Sequence, residues 1–400
     1  MTAEVLIAGA GPVGLSAALV LGSRGVQVRL FEAAAVLPSE LRASTFHPPT
    51  LDMLAPFGVT DAMLAQGLLC PHWQVRMHPS GERAVFDLSV LAGETDHPYR
   101  LQCEQSKLAL ILLDKVRALD SVEVSFGARV ADVAQSDDTV QFTVEQGGER
   151  RVVTGRYAIG ADGARSVVRE ALGIAFEGDV YPETTILATT TFPFETVLDG
   201  LSNVSYCWKA NGTFSLLRLP GLWRTSLYAR DGKSVEETLT DDGIQDLMHD
   251  IVPLPGPFEV LATRPYRIHQ RLAATYRKGR VFLAGDAAHL NSPSGGMGMN
   301  GGIHDAFNLA EKLAAALRRR DEAGLDLYEA QRKPIAQDAI IAQAHQNRTR
   351  MQERDPERRR RLLADLQATA GNPAKLKAYM LRTSMIDGLR RAASIGTGAA

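Results

Sequence analysis

Hydrophobic positions change period several times along the chain, and the changes mark out its elements. Val5-Leu6-Ile7-Ala8 is a short unbroken apolar run, as in a strand buried on both faces. Leu15, Leu19 and Leu21 then give a helical pattern, and Val26 to Phe31 predicts a second strand ending at Glu32. This strand–helix–strand unit has the size of a nucleotide-binding half. Val75–His78 and Ala84–Asp87 flank the turn signal Pro79-Ser80-Gly81, which predicts a hairpin. Leu108, Leu112 and Leu119 predict a helix from Gln105 to Leu119. Alternating strands follow at Val122–Phe126, Val130–Ala134 and Val140–Glu145, then a buried strand at Tyr157–Gly160. Residues 180–275 are rich in Thr, Phe, Tyr and Trp, with turns at Asn211-Gly212 and Pro220-Gly221, and predict an inserted sheet. The apolar strand Arg280–Gly285 and the helical face of Ala306, Leu309, Ala310, Leu313 and Leu317 return to the opening theme. The fold class is therefore α/β: a discontinuous Rossmann-like domain over 1–70, 100–179 and 276–324, with an inserted mixed or antiparallel β-sheet substrate region over 71–99 and 180–275. A charged helical C-terminal region covers 325–400.

Composition narrows the functional classes. The 400 residues are 45% apolar and 22% charged, which fits a globular chain, and 44 basic against 46 acidic residues leave a net charge of −2. Such a balance offers no global field for nucleic acid or an anionic membrane. The runs Arg318–Arg320 and Arg358–Arg361 have acidic neighbours, so a solvated helix face or a homodimer contact is the better reading. Cys70, Cys103 and Cys207 are odd in number and form no Cys-x-x-Cys pair, which argues against a disulfide framework or a thiolate metal site. No run approaches the ~20 apolar residues of a membrane span, and the N-terminus has no basic leader pattern. The expectation is a cytoplasmic protein without a metal.

Two glycine-rich turns carry the chemistry. In Gly9-Ala10-Gly11-Pro12-Val13-Gly14, between strand and helix, Gly9 suits a tight turn, Gly11 close approach to a pyrophosphate, and Gly14 close helix packing. The helix start adds N–H groups and a positive dipole. Glu32 suits a ribose 2′-hydroxyl and would repel a 2′-phosphate, which favours FAD or NAD over NADP here. Far downstream, Asp286 ends an apolar strand, where its carboxylate can accept hydrogen bonds from a sugar-like chain. The turn from Pro293 to Asn300 offers backbone N–H groups that can stabilise negative charge on a reduced ring.

Three segments together resemble the FAD-dependent aromatic hydroxylases, the single-component flavoprotein monooxygenases of the p-hydroxybenzoate hydroxylase type. They are the first glycine turn, Gly160-Ala161-Asp162-Gly163 with Ala164–Arg169, and Gly285–His289 continued by Pro293–Asn300. The resemblance implies an FAD-binding domain in which Asp286 holds the ribityl hydroxyls. It further places Asp162, Gly285, Pro293, Gly296, Gly298, Met299 and Asn300 at the cofactor. Arg42 would contact the adenosine side and assist NADPH, although Pro49 stands where many relatives carry another arginine. Gln105 matches a flavin-contacting glutamine, with Gln102 as the alternative. The implied reaction uses NADPH or NADH and dioxygen to hydroxylate an aromatic, phenolic or related small molecule through a flavin C4a-hydroperoxide. An FAD-dependent reductase or other oxidoreductase on the same fold is one rival, and a non-enzymatic flavin-binding sensor or scaffold another.

His47 and Pro293 are the catalytic candidates. A histidine near its reference pKa of about 6.5 can take a phenol proton, whereas the plainer reading is a histidine satisfied by its own loop. In the inserted sheet, alternation puts Phe214, Leu216 and Arg218 on one face, and Tyr206 and Trp208 together nearby. Tyr206, Trp208 and Arg218 are the substrate candidates, Arg218 as an anchor for a carboxylate or phenolate.

Overall fold

A computed structural model describes residues 3–396 except Leu41, Asn211, Asp231, Arg320 and Asp321. The central strand, Val5–Ala8, is fully buried and pairs in parallel with Val28–Phe31 on one side and Tyr157–Gly160 on the other. Val122–Ser125 and Val281–Leu283 extend this parallel sheet outward, and Arg277–Lys278 closes one edge antiparallel. Three helices, Pro12–Gly22, Gln105–Arg117 and Gly298–Arg319, pack with it into one core. Strands nearly three hundred residues apart thus flank the single strand Tyr157–Gly160, which brings the two glycine turns together where Gly285 meets Val13.

Ala128–Gln135, Val140–Gln146 and Glu149–Gly155 form a separate antiparallel sheet. Among the described residues the inserted sheet has eight strands and is mixed. The hairpin His72–Met77 and Arg83–Asp87 joins it through parallel pairing of Ser205 with Gln74. Its two longest strands, Phe176–Thr190 and Val260–Ala273, run antiparallel and reach back to the cofactor domain. The first of these begins at Phe176, a few residues before the start anticipated from composition.

The two faces of the inserted sheet are covered differently. On one, Phe214, Leu216 and Trp223 pack against the helix Asp241–His249 through Ile244, Leu247 and Met248. That helix, capped by Thr240 on the Gly243 N–H, interrupts a stretch read above as sheet alone. On the other face, Trp73, Val75, Val204 and Trp208 meet Leu363, Leu366, Leu376 and Met380 of the C-terminal helices Pro356–Ala370 and Pro373–Thr383. The charged C-terminal region is therefore a packed layer with one apolar side. Among the described residues no helix is long and apolar enough to cross a membrane, and no His/Cys/Asp/Glu group could hold a metal.

Candidate active site

The first turn is shaped by close backbone approach. Gly9 has φ +97°, and a Cβ there would lie 2.5 Å from the Ala161 carbonyl oxygen. A Cβ on Gly14 would meet the Gly9 carbonyl oxygen at 1.9 Å, so the helix can start this near the strand only with glycine. Gly11 is different, because a Cβ there would meet nothing within 4 Å. Its open side, at the N-terminus of Pro12–Gly22, is a cradle into which phosphate oxygens fit. Glu32 stands beside it, accepting hydrogen bonds from the N–H groups of Ala10 (2.7 Å) and Ala34 (2.9 Å).

The second and third motifs are tied to each other. Asp162 accepts from Ser166 Oγ (2.5 Å) and the Val168 N–H (3.1 Å), so its carboxylate braces its own loop beside Gly9. Arg169, from the same segment, donates to the carbonyls of Ala164 and Ala287, each at 3.0 Å, and so reaches the residue after Asp286. Asp286 itself is exposed and makes no hydrogen bond inside the protein among the described residues. Its charge reaches Arg42 and Tyr266 across the cleft. Arg42 is also exposed, with Glu40 3.6 Å away and its carbonyl accepting from Arg224 of the inserted sheet. A free carboxylate beside an open glycine cradle fits a dinucleotide with a polyhydroxyl chain between phosphate and ring.

The loop from Pro293 rests on a buried polar network. Asn300 Oδ1 accepts from the His47 N–H (3.0 Å) and Thr50 Oγ1 (2.7 Å), and its Nδ2 donates to the carbonyls of Thr45 (2.9 Å) and Gly296 (2.7 Å). The Asn300 side chain is thus spent inside the protein, which leaves its backbone as the part that can address a cofactor. The first intrahelical bond is Gly301 N–H to Met297, so the N–H groups of Gly298, Met299 and Asn300 precede the ladder. Gly296 and Gly298 allow contact with Thr45 and Asn291, where a Cβ would come within 2.9 and 2.8 Å. Pro293 is exposed at the head of the loop, its carbonyl accepting from the Gly296 N–H.

His47 holds this loop. Its ring is buried and its Nε2 lies 2.8 Å from the Gly295 carbonyl, so the neutral ring donates there. Burial, and secondarily the Arg100 charge, push its pKa well below the usual histidine value. The ring thus braces a loop 248 residues away, while its Nδ1 is buried without a partner in the protein. Deeper still, Asp305 accepts from Gly285 N–H (3.2 Å), pairs with His289 Nε2 (2.8 Å) and with Arg332 Nε (2.7 Å), all fully or almost fully buried. These residues anchor the Gly285 turn from beneath; His289 closes the Gly-Asp motif read from the sequence, whereas Asp305 and Arg332 went unmarked, since nothing there relates positions 289, 305 and 332.

Against the outer side of the loop lies a small pocket, a cavity of about 20 Å³ in the side-chain arrangement seen here. Ser294 and Gly295 form one wall, Trp73, Arg100 and Tyr206 another, and Asn347, Arg350 and Tyr379 come from the C-terminal helices. Trp73 stacks with Tyr379 and meets Tyr206 edge-on, ring centroids 6.3 and 5.9 Å apart. Of the three substrate candidates, only Tyr206 lines this space. Trp208 packs behind it in the core, donating Nε1–H to the Arg350 carbonyl. Arg218 faces the other side of the sheet, where it pairs with Glu195 at 2.6 Å and lies over Trp223. Alternation correctly grouped it with Phe214 and Leu216, but register pairs Tyr206 with Ser215, so that group points away from the pocket. Gln105 is partly buried, its N–H on the Ala43 carbonyl. Gln102 is fully buried under the loop, donating to Thr45 Oγ1 (2.9 Å) with its own Oε1 unpartnered.

Comparisons with known proteins show the family and the fold. Residues 2–343 match the FAD binding domain family. The para-nitrophenol 4-monooxygenase of Pseudomonas sp. strain WBC-3 is 33% identical over 393 residues, covering 96% of both chains. The crystal structure of p-nitrophenol 4-monooxygenase from Pseudomonas putida DLL-E4 superposes with a TM-score of 0.90 at 31% identity, over 97% of this chain and 98% of that one. A ternary complex of aklavinone-11 hydroxylase with FAD and aklavinone gives a TM-score of 0.77 at 29% identity, over 88% and 69%.

Proposed function

The chain belongs to the family of FAD-dependent aromatic monooxygenases, and from that membership we propose that it hydroxylates a phenolic ring in the pocket beside the Pro293–Asn300 loop, using NAD(P)H and dioxygen. One observation carries the reading: Ser294 and Gly295 of the flavin-facing loop are themselves a wall of a pocket to which Trp73, Tyr206 and Tyr379 contribute aromatic side chains, beside Arg100, Arg350, Asn347, Met351 and Thr383. Trp73 and Tyr379 stack on each other, so a ring enters beside them, against Tyr206 and the Ser294-Gly295 wall, as these side chains move apart to widen the small cavity.

The residues divide the work. Gly11 and the helix start behind it hold the pyrophosphate, with Glu32 at the adenosine end, and Asp286 takes the ribityl hydroxyls. Bound FAD supplies the redox chemistry that accepts hydride from NAD(P)H and activates dioxygen for transfer of one oxygen atom. The N–H groups of Gly298, Met299 and Asn300 stabilise negative charge at the ring end. His47 keeps the loop in place through Gly295, and the C-terminal helices shield the pocket from water. Among the described residues its lining holds no Asp, Glu or His, while two tyrosines, Tyr206 and Tyr379, belong to it.

The test is NAD(P)H oxidation by the FAD-loaded enzyme across a panel of substituted phenols. Stimulation by some of them, reduced at least tenfold by Tyr206→Ala at unchanged FAD content, is the expected result. Equal NAD(P)H oxidation with and without every phenol would contradict it.

A further inference from the structure

We infer that the pocket selects aromatic anions, with the Arg100 guanidinium as the group that receives the negative oxygen. The inference rests on the reading of this pocket as the ring site and says which rings it takes.

Arg100 opens the short strand Arg100–Gln102, where it pairs with Cys70 across the strand and is only 3% exposed. Its guanidinium lies over the Trp73 ring, 5.0 Å from the centroid, on the wall of the pocket. Nε and Nη1 are buried and have no hydrogen-bond partner in the protein. No carboxylate pairs with Arg100 among the described residues. Its electrostatic neighbours are Tyr206, Tyr379 and Cys70, with the Cys70 thiol pushed up to about 12 by burial, and so neutral. Taking a guanidinium out of water without a counter-charge is costly, and buried charges are ordinarily paired. Here the unpartnered nitrogens are sealed from solvent in the wall of the pocket, where Tyr206 is the first electrostatic neighbour.

A second guanidinium reinforces the sign of the field. Arg350 on the same pocket donates to Tyr379 Oη and Asn347 Oδ1, each at 3.1 Å, and its Nε is also buried without a partner. Among the described residues, two arginines and no acidic side chain line this space, together with Trp73, Tyr206, Tyr379 and the uncharged Asn347, Met351 and Thr383. That combination fits a flat ring bearing one anionic oxygen, above all a phenolate. Burial pulls the Arg100 pKa downward, which an arriving anion would reverse.

The experiment uses FAD-loaded enzyme without NAD(P)H and compares, by titration calorimetry, 4-nitrophenol at a pH where it is ionised with its neutral methyl ether, 4-nitroanisole. Wild type should bind the phenolate more tightly than the ether. Arg100→Gln should weaken the phenolate by roughly 10- to 100-fold, the range for a hydrogen bond to a charged group, and leave the ether unchanged. Arg100→Lys should recover part of the difference, and equal FAD content across the variants shows that each is folded. Phenolate binding to Arg100→Gln as tight as to wild type overturns the inference. Loss of FAD in place of loss of the phenolate also overturns it and assigns Arg100 to the cofactor. Failure of both compounds to bind wild type defeats the ring-site reading itself, a different result from the first two.

Discussion

Asp305 makes the most exacting test of how the Gly285 turn is held. Its carboxylate is fully buried between Arg332, His289 and the Gly285 N–H, while Arg332 is 1% exposed. Burial alone would raise its pKa, but Arg332 and His289 outweigh that and hold it at about 2. Asp305→Asn keeps the shape and strands the guanidinium, whose Nη1 already has no partner and whose Nη2 reaches only the Gly301 carbonyl. Breaking a buried pair from one side costs about 3–5 kcal/mol. The double variant Asp305→Leu with Arg332→Met removes both charges, and replacing a buried pair by apolar groups is often close to neutral. Urea unfolding followed by tryptophan fluorescence, with FAD release read in parallel, should therefore show the single variant as the less stable of the two and the poorer holder of FAD. The reasoning is refuted if Asp305→Asn unfolds within about 0.5 kcal/mol of wild type, as a surface change would, or if the double variant is the weaker protein.

Other consequences are sharply separated from this one. Asp286→Ala removes a carboxylate with no internal partner, so FAD affinity should fall by roughly tenfold or more while apo-protein stability is unchanged, a pair of readings obtained by ultrafiltration and thermal unfolding. His47→Gln should leave the acid limb of the kcat–pH profile where it is, since the ring is already neutral and engaged with Gly295; disappearance of that limb would restore the base assignment. His304 is held at about 3 by burial and by Arg332, against about 6.5 unfolded. Above pH ~6.5 both states are neutral; below it the unfolded chain takes a proton that the native one refuses. Stability should then fall by up to ~1.4 kcal/mol per pH unit toward pH ~3, and denaturant midpoints for His304→Asn should show a shallower fall. Arg218→Ala should not alter the Kd of any ring compound, because that side chain serves Glu195 on the far face.

What the sequence revealed depended on how local the physics was. The turn at Gly9–Gly14 was legible because strand, glycine spacing, helix and Glu32 all lie within one short unit, and each glycine answers to a steric demand of its neighbours. The Gly285-Asp286 turn was legible for the same reason. The pocket was not, since Trp73, Arg100, Tyr206, Gly295 and Tyr379 come from five separate segments, and only the packed C-terminal helices bring the last of them in. The charged pattern of those helices gave no hint of a site. Arg218 shows the limit of alternation: period two says which residues share a face but not which face meets the cofactor, a matter settled by the pairing of Tyr206 with Ser215. Asn300 was found by its motif, yet its side chain proves to be structural, and the network from Asp305 to Arg332 has no spacing that would announce it.

The most direct measurement for the whole account is the fate of labelled dioxygen. FAD-loaded enzyme supplied with NADPH, labelled dioxygen and a phenol that stimulates NADPH oxidation should give a ring product carrying one labelled oxygen atom, by mass spectrometry. NADPH consumed to give only labelled hydrogen peroxide, with every phenol recovered unchanged, would contradict it.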